Sequence, residues 1–406
     1  MHEISPAISQ TRQQIEWCTG YTQATLEQKI SSCTVLIGSG KYAGKALSRA
    51  YFLRGTAYYA KDDYDRAISD FGDAIRIDST DGDPFLFRGG AYRAKGDNNR
   101  AFADISKAIQ LNPKSVEAFR IRGDIYISKG EYDRAIADYS EAIRLDPTDD
   151  VTFVSRGATY AQKGEYNHAI ADYNQAVQLN PNYALPLRNR GLIYANTGEY
   201  DRAIADYTEA IRIEPNDFAF YGERGGVYIF KDQYDRAIAD FDQAIRLQPT
   251  NASLWNRRCI AHAIAGQLPQ AISDCTESLR LQPNNAETLD NRGFAYLRSG
   301  GLDKAIADYD AALRLDPKIA RSLYGRGLAK QKKGDASGNT DIAASTAIQA
   351  EIVEQFARYG LRANDTVVAP PIQPAPPILQ SRPAPVVPYN SDLDQDNSDR
   401  DKAKRR

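Results

Sequence analysis

Apolar and polar positions along this chain follow a pattern that returns every 34 residues. In the third copy, one stretch has apolar or small residues four and three positions apart, and a second stretch repeats that spacing. Such spacing places the residues on one face of a helix, so each copy predicts two amphipathic helices. The positions are Phe119, Gly123 and Tyr126 in the first stretch and Ala135, Tyr139 and Ala142 in the second. Gly130 between the stretches predicts a turn, and Pro147 predicts the end of the unit because proline cannot continue a helix.

The dipeptide Arg-Gly marks the same point of each copy. It stands at Arg54-Gly55, Arg88-Gly89, Arg122-Gly123, Arg156-Gly157, Arg190-Gly191, Arg224-Gly225, Arg292-Gly293 and Arg326-Gly327, and Arg258-Cys259 falls on the same interval. A fixed interval without slips indicates one supersecondary unit that is copied along the chain. Units of this kind stack on their neighbours and form an array with a long surface.

These copies resemble the tetratricopeptide repeat, a helix-turn-helix of about 34 residues whose signature combines a large apolar residue, Gly, Tyr, Ala, an aromatic residue, Ala and Pro. The fourth copy supplies every position, with Phe153, Gly157, Tyr160, Ala169, Tyr173, Ala176 and Pro181. The resemblance covers residues 48–317 and implies an all-α fold, a right-handed α-solenoid of antiparallel helix pairs. The seventh copy departs most from the signature, with Cys259, His262, Cys275 and Ser278 in core positions.

The repeat divides the chain into predicted parts. Residues 48–335 form the array, with eight full repeats and a ninth first helix. Residues 1–47 form a degenerate repeat that caps the array, because their sequence KISSCTVLI resembles the second-helix sequence AISDCTESL. Residues 336–363 have apolar positions at helical spacing between Asp341 and Tyr359, which predict one capping helix.

Residues 364–406 have a different composition. They are rich in proline and end in basic residues, so they are predicted to form a disordered tail that favours polyproline II. A flexible leash and a docking segment for an aromatic groove of a partner both fit this composition.

Composition and charge narrow the classes of function. The net charge is −2 and 26% of the residues are charged with both signs mixed, so no nucleic-acid partner is expected. No apolar run approaches the length of a transmembrane helix, so no membrane insertion is expected. The first residues lack the apolar stretch of a secretory signal, and the chain as given is expected to be soluble and cytoplasmic unless its true start carries an export signal.

Every full copy also carries an aspartate sixteen residues after its arginine. Because the turn lies midway, an antiparallel hairpin brings the two side chains to similar height, and a guanidinium can donate two hydrogen bonds to one carboxylate. The predicted structural ion pairs are Arg54 with Asp70, Arg88 with Asp104, Arg122 with Asp138, Arg156 with Asp172, Arg190 with Asp206, Arg224 with Asp240, Arg258 with Asp274 and Arg292 with Asp308. A row of arginines that grips an anionic ligand is the alternative interpretation.

The resemblance implies that the first helix of each repeat lines a concave groove that binds a partner. The predicted groove residues are Phe52, Tyr59, Phe87, Arg93, Arg120, Arg188, Asn189, Leu192, Phe230, Asn256, Arg257, Asn291 and Phe294. Aromatic, aliphatic and charged residues are mixed among them, which suits a protein or peptide partner. Arg188 and Arg257 match part of the clamp with which chaperone adaptors of this family hold a C-terminal carboxylate, but Glu223 lies between them.

The four cysteines fall into two pairs. Cys18 and Cys33 are 15 residues apart, Cys259 and Cys275 are 16 apart, and each pair places one cysteine on each helix of a hairpin. Two disulfides, and hence an oxidising compartment, are one interpretation. Four buried thiols in a reducing cytosol are the other, since a free cysteine packs like a small apolar residue. The chain has only three histidines, and no metal site is expected.

No phosphate loop, nucleophile elbow, zinc motif or dinucleotide fingerprint occurs in the sequence, so neither a catalytic residue nor a cofactor is predicted. The sequence favours a non-catalytic scaffold that binds a protein or peptide in the concave groove. An envelope or secretion-related assembly factor with disulfide-locked repeats is one alternative. A regulatory module of an enzyme complex is another.

Overall fold

All regular structure in the described part of the chain is α-helical. The computed structural model describes residues 6–19 and 24–363. The disordered tail predicted for residues 364–406 lies outside the described residues. Within the described residues, no helix is both long and apolar enough to cross a lipid bilayer.

The helices form two compact units, the first ending at Leu179 and the second beginning at Asn180. The first unit contains α1 (Pro6–Thr19), α2 (Leu26–Gly38), α3 (Gly44–Tyr59), α4 (Tyr64–Ile77), α5 (Asp83–Ala94), α6 (Asn98–Leu111), α7 (Val116–Ser128), α8 (Tyr132–Leu145), α9 (Asp150–Gln162) and α10 (Tyr166–Leu179). The second unit contains α11 (Ala184–Asn196), α12 (Tyr200–Ile213), α13 (Phe218–Phe230), α14 (Tyr234–Leu247), α15 (Ala252–Ile264), α16 (Leu268–Leu281), α17 (Ala286–Arg298), α18 (Leu302–Leu315), α19 (Ala320–Lys332), α20 (Gly338–Ile348) and α21 (Ile352–Ala357).

Each odd-numbered helix up to α19 packs against the even-numbered helix that follows it. The pair α1 and α2 comes first, and the pairs from α3 and α4 to α19 and α20 are repeats one to nine. Repeats one to four lie in the first unit and repeats five to nine in the second. Within a repeat, the odd-numbered helix is the first helix and the even-numbered helix is the second. Each unit is therefore a stack of helical hairpins, which confirms the predicted α-solenoid architecture.

A glycine on the first helix allows the two helices of a repeat to approach closely. In repeat three, a Cβ atom on Gly123 would lie 2.6 Å from Cε1 of Tyr139, so any larger residue would push the second helix away. Ala135 and Ala142 are fully buried on the same second helix. The ring of Tyr139 therefore occupies the space that the missing side chain leaves, and this explains the glycine of the Arg-Gly dipeptide.

The turn inside each repeat needs a left-handed backbone. Gly130 has φ 73°, and its N–H donates to the carbonyl of Ile127 at 2.9 Å, which closes the first helix of repeat three. Asp62 and Asp232 hold the corresponding positions of repeats one and six with φ 58° and 57°. Aspartate tolerates this conformation better than most residues with a side chain.

First helices also contact one another across repeats. In the second unit these contacts join α11 to α13, α13 to α15, α15 to α17 and α17 to α19, and in the first unit they join α3 to α5. We call this side of each unit its inner face. The first helices, which form this side, carry the predicted groove residues.

The C-terminal end differs from the single capping helix that the sequence predicts. α20 packs against α19 and completes a ninth helix pair, and Ile342 fills the space beside Gly327. The chain then becomes extended at Gln349, with φ −146° and ψ 100°, before α21 begins. The predicted single helix is divided in two because its parts pack against different partners. α20 packs against α19 within repeat nine. Phe356 of α21 packs on Phe294 of the inner face.

Candidate interaction surface

The arginine and the aspartate of each repeat bind one another with two hydrogen bonds. In repeat four, Arg156 Nε donates to Asp172 Oδ2 at 2.9 Å and Nη2 donates to Oδ1 at 2.7 Å. The same arrangement joins Arg54 to Asp70, Arg88 to Asp104, Arg122 to Asp138, Arg190 to Asp206, Arg224 to Asp240, Arg258 to Asp274 and Arg292 to Asp308. The aspartates are buried, so these pairs belong to the interior of each hairpin.

The third nitrogen of several guanidinium groups reaches the preceding repeat. Nη1 of Arg224 donates to Thr208 at 3.0 Å, and Nη1 of Arg258 donates to Asp242 at 2.6 Å. In the first unit, Nη1 of Arg156 donates to Ser140 at 3.0 Å. One arginine therefore joins three helices. Because all three of its nitrogens have partners inside the chain, it is poorly placed to grip an external anion.

Burial and pairing act on the aspartates in opposite directions. Burial raises the pKa of the Asp172 carboxyl above its usual value, although hydrogen bonds from Arg156 oppose the rise. In repeat seven, His262 Nδ1 also lies 2.8 Å from Asp274 Oδ2. Burial again raises the pKa of Asp274, but the hydrogen bonds from His262 and Arg258 outweigh it and hold the pKa below the usual value. The added histidine thus changes the sign of the shift.

Both predicted disulfides are present. Cys18 is bonded to Cys33 and Cys259 to Cys275, which accounts for all four cysteines of the sequence. Each bond joins the two helices of one pair and is buried. Of the two interpretations that the sequence allows, the structure has the disulfide-bonded one. No group of three His, Cys, Asp or Glu residues in the described ranges is arranged to hold a metal ion.

The inner face of the first unit carries an aromatic patch that consists of Phe52, Tyr59 and Phe87. The rings of Phe52 and Phe87 meet edge to face with centroids 5.3 Å apart, and those of Tyr59 and Phe87 lie 6.2 Å apart. Gly90 lies beside the patch, and a Cβ atom there would touch the Tyr59 hydroxyl at 3.4 Å. Tyr59 and Phe87 are half-buried, whereas Phe52 is buried beneath them. The patch therefore offers apolar surface that remains partly exposed.

Charged residues continue the inner face of the first unit beyond this patch. Arg93, on the same helix as Phe87, forms an ion pair with Asp124 in which Nη2 and Oδ2 are 3.3 Å apart. Arg120 donates to Glu117, with Nη2 2.7 Å from Oε1, and half of the Glu117 side chain is exposed. Aromatic and charged surface thus lie on successive first helices.

Polar residues of the second unit bind one another across repeats. Arg188 donates to Glu223 with Nε 2.9 Å from Oε1, and Asn291 Nδ2 donates to Asn256 Oδ1 at 2.8 Å. Nη1 of Arg257 lies 3.5 Å from the carbonyl oxygen of the preceding repeat's Gly222. Because Glu223 neutralises Arg188, the carboxylate clamp considered from the sequence lacks one of its cations.

Several predicted groove residues are buried, and this corrects their assignment to an open surface. The buried ones are Phe52, Asn189, Leu192, Asn256, Asn291 and Phe294. The buried asparagines of repeats seven and eight satisfy one another with a hydrogen bond, and Asn291 also accepts one from Arg321. Phe294 is buried under rings of the C-terminal residues. Phe230 remains half-buried and stacks on Tyr200 with centroids 5.6 Å apart.

α21 and the residues after it lie on the inner face of the second unit. The ring of Phe356 meets Tyr324 at 4.9 Å and Phe294 at 5.7 Å between centroids. The ring of Tyr359 lies 5.4 Å from that of Phe294, and the guanidinium carbon of Arg298 lies 5.6 Å from the Tyr359 centroid. We call residues 352–363 the C-terminal segment.

The C-terminal segment shares one hydrophobic cluster with first helices of repeats six to nine. The first-helix members include Ile229, Ile260, Ile264, Phe294, Leu297 and Leu328, and the segment contributes Ile352, Phe356 and Leu361. Burial raises the pKa of Tyr359, and the nearby carboxylate of Asp232 raises it further. The ring contacts of the segment are with Phe294 of repeat eight and Tyr324 of repeat nine.

Sequence reasoning missed two features of this end. Arg326 binds Asp341, with Nη2 2.6 Å from Oδ1, although the two are fifteen rather than sixteen residues apart. Asp335 and Asp341 are the two aspartates between Gly334 and residue 363, and Asp341, one position short of the regular interval, was the available signal. The contacts of Phe356 and Tyr359 could have been suspected only from an apolar stretch that follows the last helix pair.

Stacked hairpins with a shared internal bonding scheme define this chain as a helical-repeat protein. A TPR repeat model matches residues 123–164, 157–198 and 299–334, and tetratricopeptide repeat models match residues 48–81, 84–115, 184–217 and 225–286. Together these matches cover more than half of the sequence. The chain belongs to the tetratricopeptide repeat family, whose fold is typically non-catalytic, and it has the architecture of a protein-interaction scaffold.

Solved structures with the same kind of fold are similar to parts of this chain. The crystal structure of MamA is 29% identical over 40% of this chain and 94% of its own, with a TM-score of 0.38. YrrB, described as a TPR protein with an unusual peptide-binding site, is 24% identical over 44% of this chain and 92% of its own, with a TM-score of 0.39. The APC/C hetero-tetramer Cut9-Hcn1 is 16% identical over 83% of both chains, with a TM-score of 0.47. No curated protein matches the chain.

Proposed function

We propose that this protein is a scaffold that captures a segment of a partner protein on the inner faces of its first helices. The observation that carries the proposal is the position of the C-terminal segment. Residues 352–363 lie against the first helices of repeats eight and nine, where a partner segment would also bury its apolar side chains. An inner face that accommodates one apolar segment has the shape and chemistry to accommodate another.

The inner face of the first unit supports the same function. Tyr59 and Phe87 present partly exposed aromatic surface, and Arg93 and Arg120 follow on the next turns and the next repeat. Aromatic residues and arginines dominate the affinity of many protein interfaces. Charged groups at the rim orient a partner and raise its association rate more than they add affinity. A partner segment with apolar anchors and mixed charges fits this surface.

Site-specific photocrosslinking in cells that express the full chain tests the proposal. A photoreactive phenylalanine analogue at Phe87 or Tyr59 should link the protein to a partner, because these side chains stand on the inner face. The same analogue at Tyr166, an exposed aromatic residue that begins a second helix, is the matched control. A partner that links equally from Tyr166, and that still links from Tyr59 when Phe87→Ala is added, contradicts capture on this face.

The two disulfides favour a second, narrower function. Disulfides persist in oxidising compartments, so a scaffold of the cell envelope or of a secretion system is the candidate that fits them. Rapid alkylation of the protein in its own host, followed by denaturation and mass analysis, tests this candidate. No alkylated cysteine is expected. Four alkylated cysteines would show that the pairs are reduced in the cell.

A further inference from the structure

The C-terminal segment has the amphipathic pattern of a groove ligand. Ile352, Phe356 and Tyr359 are four and three residues apart, and the first two are fully buried against the repeats. Glu354 and Arg358, on the opposite side, are exposed. Anchors at this spacing on one face are how helical segments bind hydrophobic grooves of other proteins.

The contacts of the segment differ in kind from those that hold the repeats together. The two helices of a repeat are joined by buried ion pairs such as Arg258 with Asp274, and separating them would leave an uncompensated buried charge. The segment is held by ring contacts and apolar packing, as between Phe356 and Tyr324 or between Tyr359 and Phe294. Such a segment can leave the inner face without exposing an unpaired buried charge.

A cavity of about 590 Å³ remains beside the segment. It is lined by Glu287, Lys318 and Arg321 of the repeats and by Gln349 and Gln355 next to and within α21. The lining carries charges of both signs that the segment does not cover. A ligand longer or more polar than the segment would find further contacts there.

We infer that the C-terminal segment is an internal ligand of the inner face of repeats eight and nine, and that a partner binds this face by displacing it. The partner segment has the same chemistry: an aliphatic residue followed by two aromatic residues on one face of a helix or turn, flanked by charges. This inference rests on the proposed function and adds its regulation. The C-terminal segment occupies the site until a partner segment of higher affinity displaces it.

The connection between α20 and α21 sets the strength of this competition. Only residues 349–351 separate the two helices, so the segment stays close to its site even when it is released. A short tether corresponds to an effective concentration on the order of millimolar. A partner in solution therefore binds the intact chain much more weakly than it would bind the same face with the segment released.

A labelled peptide tests the inference directly. The probe is a fluorescent peptide of residues 350–363, and its binding is measured by anisotropy to the full chain. The full chain with Phe356→Ala and Tyr359→Ala should bind the peptide about tenfold or more tightly than the wild-type chain, because its own segment no longer competes. The matched control carries Glu354→Ala and Arg358→Ala on the exposed side of the same segment, and it should behave like the wild-type chain.

Equal affinity of the wild-type and doubly substituted chains overturns the inference, as does the lack of saturable binding to a variant whose circular dichroism matches the wild type. Adding Phe294→Ala to the variant should remove the binding, which places the peptide on the inner face. A second measurement needs no substitution. Excess isotope-labelled peptide should speed hydrogen exchange in the segment of the wild-type chain, and an unchanged exchange rate contradicts displacement.

These outcomes separate the inference from the proposed function. If photocrosslinking finds a partner on the inner face but the peptide does not exchange with the segment, residues 352–363 are a fixed cap and only the inference is wrong. If the peptide exchanges but no partner links to any inner-face position, the segment is displaceable and the proposed scaffold function is wrong.

Discussion

Arg258 and Asp242 belong to consecutive repeats, and Nη1 of the arginine donates to Oδ1 of the aspartate at 2.6 Å. The same guanidinium binds Asp274 of its own repeat through its other two nitrogens. One side chain thus couples the two helices of a repeat and also couples that repeat to the one before it. In an array whose units touch only their neighbours, such a contact contributes to the interface energy on which the whole stack depends.

Removal of one partner from these pairs should destabilise the first unit. Asp172→Ala is expected to lower the free energy of unfolding by about 3 kcal/mol, because Arg156 is left with an uncompensated buried charge. Urea unfolding followed by circular dichroism measures the loss. The control is Glu141→Ala, whose partner Arg144 is well exposed, and it should leave the unfolding midpoint unchanged.

Replacement of both partners should cost less than the loss of Asp172 alone. In the chain with Arg156→Met and Asp172→Met, no charge is buried, and apolar contacts replace the ion pair. The unfolding midpoint of this double variant should lie above that of Asp172→Ala. A midpoint at or below that of the single variant would show that hydrogen-bond geometry rather than charge compensation determines stability here.

The opposite pKa shifts of Asp274 and Asp172 predict opposite responses to acid. The pKa of Asp274 is lowered by folding, so its ionised form stabilises the native state above about pH 4, and this contribution is lost as pH falls through the folded pKa. The pKa of Asp172 is raised by folding, so protonation between its folded pKa and about pH 4 favours the native state.

Thermal unfolding of Asp274→Asn and Asp172→Asn at about pH 6 and about pH 3.5 checks this pair of signs. The melting temperature of each variant is compared with that of the wild-type chain at the same pH. The amount by which Asp274→Asn lowers it should become smaller on acidification, and the amount by which Asp172→Asn lowers it should become larger. Deficits that change in the same direction for both variants would contradict the assigned shifts.

Loss of the second disulfide should weaken repeat seven. The loop that Cys259 and Cys275 close has a sequence separation of 16, for which chain entropy gives about 3 kcal/mol of stabilisation. The chain with Cys259→Ala and Cys275→Ala should have a free energy of unfolding about 3 kcal/mol below that of the wild-type chain, and therefore a lower unfolding midpoint. Reductant should lower the midpoint of the wild-type chain further than that of this variant, which retains only the Cys18–Cys33 bond. Equal shifts would show that the second disulfide contributes nothing.

Two glycines of similar sequence context should respond differently to alanine. Gly123→Ala puts a Cβ atom 2.6 Å from Cε1 of Tyr139, so the second helix must shift, at a cost of about 1–3 kcal/mol. The Cβ atom of Gly90→Ala comes no nearer than 3.4 Å to the Tyr59 side chain, and alanine favours the helix, so stability should be unchanged or slightly higher. Chemical denaturation of both variants measures the contrast. A similar loss for both would mean that helix packing is not what selects Gly123.

Much of the fold could be predicted from the sequence because it depends on contacts inside one copy. The helix pair, the turn at Gly130 and the partner of Arg156 all follow from distances along the chain that every copy repeats. The same reasoning pointed to the cysteine pairs, since Cys259 and Cys275 stand at facing positions of one hairpin. Local spacing is sufficient where both partners lie on adjacent helices.

The inner face of the second unit could not be predicted in this way. Whether Phe294 is exposed depends on Phe356 and Tyr359, which lie far along the chain and outside the periodic region. The partners of the buried Asn291 likewise come from the two neighbouring repeats, Asn256 of the preceding one and Arg321 of the following one. Helical periodicity indicates which face a residue occupies, but it does not indicate what covers that face.

The bonds between consecutive copies bear on how such an array evolves. The acceptors of Nη1 in the second unit, Thr208, Asp242, Thr276 and Asp310, occupy the same place in successive copies. A duplicated repeat therefore carries an arginine that donates to the repeat before it and an oxygen that accepts from the arginine of the repeat after it. A gene for a protein of this kind can gain or lose whole repeats, because repeats that become neighbours already carry a matching donor and acceptor.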